Sequence, residues 1–288
     1  MTTAPFGARL TEAMATRGPL CVGIDPHPSL LSAWGLDATP SGLERFAMTT
    51  VEALADRVAV LKPQSAFFEA FGSAGVAVLE KVLAAGQAAG ALMLLDAKRG
   101  DIGSTMAAYA AAYLTDGSKM AADALTVSPF LGFGSLQPAI DAALASGRGL
   151  FVLCRTSNPE GRSVQLAQNP AQVPVQESVI PGMTVSAEIA SAAAKLNAGA
   201  DPMGSIGLVV GATVTDVSAD LEAVNGPLLA PGIGAQGATA ADLKRVFGGA
   251  LRTVLPTASR SVLTAGPSLD GLRDAAARTL YEVRAALC

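Results

Sequence analysis

Ala91-Leu92-Met93-Leu94-Leu95-Asp96-Ala97-Lys98-Arg99-Gly100-Asp101-Ile102 is an apolar run that ends abruptly in alternating charges. Residues 91–95 are too apolar for a surface loop and a glycine follows the charges, so the stretch reads as a buried parallel strand entering a loop. Side chains two apart on a strand share a face. Asp96 and Lys98 therefore stand side by side at the mouth of a sheet, while Ala97 faces the opposite layer. A lone pair of this kind is commonly a structural ion pair. Charges at the ends of other strands give it a different meaning.

Outward from this strand, short apolar runs alternate with amphipathic segments. The expected strands are 20–24, 58–61, 92–95, 124–127, 150–153, 206–210, 227–230 and 251–255. Eight strands, each followed by a helix, with no second composition regime, predict a single (β/α)8 TIM barrel, one α/β domain over 1–288. A doubly wound sheet shares the alternation but needs a Gly-rich first turn that is absent here. The clearest helix starts at Ser41, with Glu44 as its capping-box partner, and places Leu43, Phe46, Ala47, Val51, Leu54 and Val58 at helical spacing. Val185, Ile189, Ala192, Ala193 and Leu196 mark another. Residues 157–182 break the pattern: Asn158-Pro159, Asn169-Pro170, Val173-Pro174 and Ile180-Pro181-Gly182 punctuate a stretch with no sustained period. A long loop after the fifth strand emerges on the catalytic face of a barrel, so 158–182 is expected to be a mobile lid with at most a short hairpin.

Composition narrows the function classes. Half of the residues are apolar and only 5% are aromatic, which suits helices packed closely on strands. The net charge is −4 and the basic residues are scattered, so no stripe for a phosphate backbone exists and nucleic acid is not an expected partner. The N-terminus lacks the apolar core of a signal peptide and no window approaches a membrane span, which predicts a cytoplasmic protein with no membrane partner. Cys21, Cys154 and Cys288 are widely spaced and odd in number, and His27 is the sole histidine. A zinc site, a disulfide framework and histidine base catalysis are all disfavoured.

Three consecutive strands end in ionisable groups: Gly23-Ile24-Asp25, Leu61-Lys62, then Asp96 with Lys98. Adjacent strands lie about 5 Å apart, so a barrel brings these groups together as carboxylate, ammonium, carboxylate, ammonium around one rim. Four buried charges seldom stabilise a fold more than an apolar core would, whereas a fixed field acting on changing charge can supply several kcal/mol to a transition state. The pattern points to catalysis. Pro231-Gly232-Ile233-Gly234-Ala235-Gln236-Gly237 follows the seventh strand and Ser259-Arg260-Ser261 the eighth, where barrels commonly bind phosphate through backbone N–H groups and an arginine fork.

The segment Asp96-Ala97-Lys98-Arg99-Gly100-Asp101-Ile102 resembles the D-x-K-x-x-D-I signature of orotidine 5′-phosphate decarboxylases, and its surroundings are similar to the bacterial type 2, or mycobacterial-like, subfamily. Gly23-Ile24-Asp25-Pro26, Leu61-Lys62-Pro63, Thr126-Val127-Ser128-Pro129, Thr156-Ser157-Asn158 and the 230–237 segment support the likeness, which spans roughly residues 20–260. The resemblance implies cofactor-free, metal-free decarboxylation of orotidine 5′-monophosphate to UMP. It makes Lys98 the proton donor to C6, with Asp96 beside the departing carboxylate, Lys62 bridging the carboxylates and the ribose, and Asp25 on a ribose hydroxyl. It also implies a homodimer in which Asp101 and Thr105 reach the neighbouring subunit's site, Ser157 on the pyrimidine amide, and Gln236 and Arg260 on the phosphate.

Two other readings share these residues. Metal-dependent sugar-phosphate enzymes of the same superfamily carry an acidic residue where this chain has Lys62, to help hold magnesium. A phosphate-ligand-binding barrel without chemistry is the other, though a pure binder has little use for a buried array of charges.

Overall fold

Strands form at all eight expected places. The computed structural model describes residues 4–170, 181–232 and 239–287. Its strands are β1 (Cys21–Ile24), β2 (Val60–Pro63), β3 (Leu92–Arg99), β4 (Ala124–Val127), β5 (Gly149–Arg155), β6 (Ile206–Val210), β7 (Leu228–Pro231) and β8 (Val254–Ala258). They pair in parallel in chain order, and β1 closes on β8 through Cys21 opposite Thr257 and Val22 opposite Ala258. The fold is a single-domain TIM barrel.

Parity decides what each strand shows to the inside. Val22 and Ile24 of β1, Leu61 of β2 and Met93 and Leu95 of β3 pack into the layer shared with the helices. Cys21, Val60, Leu92, Leu94, Ala124, Phe151 and Leu255 fill the barrel interior with Phe6 and Leu10 of the N-terminal helix Phe6–Arg17. Phe6 plugs the lower end, edge-on to Phe151 with ring centroids 6.0 Å apart. Gly149 makes room for this plug, since a Cβ there would lie 2.2 Å from the Phe6 ring. Two residues above Val60, Leu94 and Ala124 on the same faces stand Lys62, Asp96 and Thr126, so the alternation that fills the core also aims these polar groups into the barrel mouth.

Several boundaries differ from expectation. The third strand continues through the charges to Arg99, with its pairing to β4 shifted between Leu95 and Arg99. The eighth begins at Val254, because residues Gly248–Thr253 form a 3-10 turn that Thr253 closes by donating to the Ala250 carbonyl at 3.0 Å. No helix joins β6 to β7; residues 211–227 are turns, tied down by Asn197, whose amide donates to the Ile206 and Val224 carbonyls at 2.7 and 2.9 Å. The helix Pro40–Leu54 is capped by Thr39 and not by Ser41: proline at the first helical position places the cap two residues earlier, and Glu44 pairs with Lys81 instead. Leu196, expected on the buried face of the helix Val185–Leu196, is 37% exposed at its last turn.

After β5 the described part of the insertion combines short helical turns with antiparallel backbone pairing between residues 167–169 and 182–185. Turns at Pro159–Gly161 and Arg162–Gln165 lead to a single antiparallel bridge between Gln168 and Thr184. Cys21 and Cys154 are buried and free, and Cys288 lies outside the described residues. Among the described residues no helix is long and apolar enough to cross a membrane.

Candidate active site

The mouth of the barrel holds a cavity of about 460 Å³ lined by Asp25, Lys62, Asp96, Lys98, Ser157 and Arg260, among others. At its floor Lys62, 6% exposed, donates to Asp96 Oδ2 at 2.8 Å. Lys98 donates to Asp96 Oδ1 at 2.6 Å from a side chain that is 43% exposed toward the cavity. Burial opposes both deep charges, yet the pair prevails. Burial lowers the Lys62 pKa, but the Asp96 and Asp25 carboxylates raise it further, to a net value above the ordinary lysine range. Burial likewise raises that of Asp96, and the two ammoniums pull it well below the usual carboxylate range.

Asp96 is gripped from both sides. The Gln64 carboxamide meets its surroundings only with its nitrogen toward Asp96, donating to Oδ2 at 2.7 Å and to the carbonyl at 3.1 Å. Thr126 donates to Oδ1 at 2.8 Å. Two donors on each oxygen hold the carboxylate ionised and fixed in direction. Beneath it Cys21 is inert, its thiol pushed up to about 12 chiefly by burial.

Asp25 is half-buried, and its Oδ1 is buried without a hydrogen-bond partner among the described residues, which leaves an acceptor at the cavity wall. Gly23 precedes it by two; a Cβ there would lie 2.0 Å from Ser259 Oγ, so the glycine admits the loop that carries Arg260. Arg260 opens the short helix Arg260–Leu263, is exposed, and forms no ion pair among the described residues. Gln236 lies outside the described residues.

Asp101 and Thr105 are not part of this cavity. Asp101, half-buried, accepts from the Ile102 N–H at 2.8 Å, and Thr105 is exposed on the first turn of the helix Gly103–Leu114. Ile102, next to Asp101 in the chain, is 61% exposed, and Phe130 and Leu131, which follow β4, are 77% and 53% exposed. Among the described residues no group of three or more histidine, cysteine or acidic side chains could hold a metal ion.

Sequence reasoning assigned no role to several groups in the cavity wall or behind it. Thr126 could have been found by counting parity along β4. His27 also lines the cavity, its ring 4.2 Å from that of Phe67. Arg155, only 3% exposed, donates to the Asp216 and Thr156 carbonyls at 3.1 and 2.9 Å and to Gln165 Oε1 at 3.1 Å. Gln165 also accepts from the Thr156 N–H at 3.0 Å and donates to Thr156 Oγ1 at 2.7 Å, which ties the insertion to the strand end that carries Ser157.

The profile of the orotidine 5′-phosphate decarboxylase / HUMPS family matches residues 18–274. The chain belongs to this family. Two named orotidine 5′-phosphate decarboxylases, from Salinispora arenicola and Streptomyces coelicolor, are 61% and 60% identical to it over 282 and 283 residues, 98% of each chain. A crystal structure from Streptomyces avermitilis matches with a TM-score of 0.93 at 59% identity, covering 100% of this chain and 97% of that one. Leishmania donovani OMP decarboxylase matches with a TM-score of 0.73 at 30% identity, over 98% and 99% of the two chains. Like these relatives the chain is an orotidine-5′-phosphate decarboxylase, a carboxy-lyase of pyrimidine nucleotide synthesis.

Proposed function

We propose that the cavity above Asp96 decarboxylates orotidine 5′-monophosphate to UMP, with Lys98 delivering the proton. The observation that carries this reading is the Lys98 ammonium, held 2.6 Å from a buried carboxylate and open to the cavity. When the C6–carboxylate bond breaks, CO2 leaves and the electron pair stays on C6, with no conjugated carbonyl to receive it. Fixed positive charge must stabilise that carbanion, and the nearest such charge also carries the needed proton. Lys98 protonates C6, and the neutral amine regains its proton from solvent.

The other groups act by position. Lys62, locked on Asp96 and with its own charge favoured by the Asp96 and Asp25 carboxylates, is the buried counter-charge at the ribose end. The unpartnered Asp25 Oδ1 suits a ribose hydroxyl. Ser157 takes the pyrimidine amide, while Gln236 and Arg260 take the phosphate, whose binding favours a closed, dry site. Residues 158–182 serve as the lid. Asp101 and Thr105 complete the site of a second copy of the chain, with Ile102, Phe130 and Leu131 supplying apolar area.

Lys98→Ala should abolish CO2 release while UMP binding remains measurable, because the ammonium acts on charge that develops in the transition state. Release of CO2 at a substantial fraction of the wild-type rate would remove Lys98 as the donor.

A further inference from the structure

Lys98 has φ of +49°, one of two non-glycine residues in the left-handed region among those described. A side chain there is strained by roughly 1–2 kcal/mol, and such a conformation persists only where its surroundings fix it. Here the fixing contact is visible. At the point where β3 slips register against β4, the Lys98 N–H donates to Thr126 Oγ1 at 3.0 Å in place of a carbonyl of the ladder. The same hydroxyl spends its own proton on Asp96 Oδ1 at 2.8 Å, the oxygen that receives the Lys98 ammonium. Thr126 is 1% exposed, so no water stands in for either bond.

We propose that Thr126 is a positioning residue for proton delivery, its one hydroxyl fixing both the left-handed backbone of Lys98 and the carboxylate oxygen that aims the ammonium. A hydroxyl suits both tasks, since it accepts and donates at once. Valine fills the same volume and does neither. Without the hydroxyl the bulge loses the bond that holds it, and Asp96 Oδ1 keeps only the flexible ammonium. Misplacement on the order of 1 Å is enough to cost a reaction about 100-fold. Ground-state binding changes less, because Asp25, Ser157 and Arg260 hold the substrate from other strands.

The proposal rests on Lys98 as proton donor, so Lys98→Ala is measured in parallel. Thr126→Val is expected to lower kcat at least tenfold with KM for orotidine 5′-monophosphate and Kd for UMP within about threefold, and Thr126→Ser to bring kcat back to within about threefold of wild type. Wild-type kcat in a folded Thr126→Val enzyme, with Lys98→Ala inactive, overturns the role of Thr126 alone. Equal loss of kcat and ligand binding, with no recovery in Thr126→Ser, marks Thr126 as a packing residue and also overturns it. Turnover surviving in Lys98→Ala overturns the donor assignment itself. Should the valine variant not fold, Thr126→Cys, which nearly keeps the volume and has only a weak donor, is expected to show the same split, and wild-type kcat there overturns the proposal.

Discussion

Lys62 and Lys98 hold opposite oxygens of one carboxylate, Oδ2 of Asp96 at 2.8 Å and Oδ1 at 2.6 Å. They differ in access: the Lys62 side chain is 8% exposed and that of Lys98 43%. One ammonium is thus a fixed counter-ion and the other is free to meet a ligand. Removing the shared carboxylate strands the buried one.

Asp96→Ala should therefore destabilise the protein as well as inactivate it. Breaking a buried pair from one side costs about 3–5 kcal/mol, which should lower Tm by on the order of 10 °C. The pH dependence follows from the directions of the two shifts. The lowered Asp96 pKa gives stability that is present above the ordinary carboxylate value, about 4, and is lost as pH falls through the depressed one. The raised Lys62 pKa gives stability that is full below about 10.4 and lost at higher pH. Denaturant titrations should show a constant deficit for Asp96→Ala from pH 5 to 7 that shrinks below pH 4. A deficit already shrinking at pH 6 would mean that Asp96 is not held ionised.

Arg260→Ala should weaken binding of 5′-phosphorylated ligands while leaving the bare nucleoside almost unaffected. A charge-assisted hydrogen bond is worth about 1.5–3 kcal/mol, so calorimetry should find Kd for UMP raised roughly 10- to 100-fold and that for uridine less than twofold. Equal weakening of both would place Arg260 away from the phosphate.

Deleting residues 171–180 should raise KM and lower kcat without unfolding the barrel, if the insertion closes over the site. Gln165 stays in the shortened chain, so the tie from the insertion to Thr156 is kept. Circular dichroism and thermal melting check the fold. Cooperative unfolding lost together with activity would make the segment part of the core.

The sequence was most legible where burial and charge collide. Asp96 and Lys62 stand out because ionisable groups interrupt apolar strands, and strand parity then predicts that they face one space. Thr126 carries no charge to mark it: parity along Ala124–Val127 turns it toward the mouth, but only the register slip opposite Lys98 shows that its hydroxyl also accepts that backbone N–H. The left-handed Lys98 was hidden for the same reason, since nothing local distinguishes it from an alternating strand residue. Boundaries failed where composition misleads. Leu251 looks like the start of a strand, yet the 3-10 turn through Thr253 outweighs its apolar character. Ser41 and Glu44 match a capping box, but Thr39-Pro40 offers a better start two residues earlier.

The last prediction concerns Asp101. It lies outside the cavity of the chain that carries it and next to the exposed Ile102, which fits a residue that serves a second copy. Lys98→Ala and Asp101→Ala chains, each inactive alone, should regain activity when unfolded together and refolded as a mixture. In a mixed dimer two-fold symmetry gives one site both defects and the other neither. Random pairing makes about half of the dimers mixed, each with one intact site, so activity should approach roughly a quarter of the wild-type value. Mass spectrometry of the refolded mixture checks for mixed dimers. Their presence without recovered activity would place Asp101 in the site of the subunit that carries it.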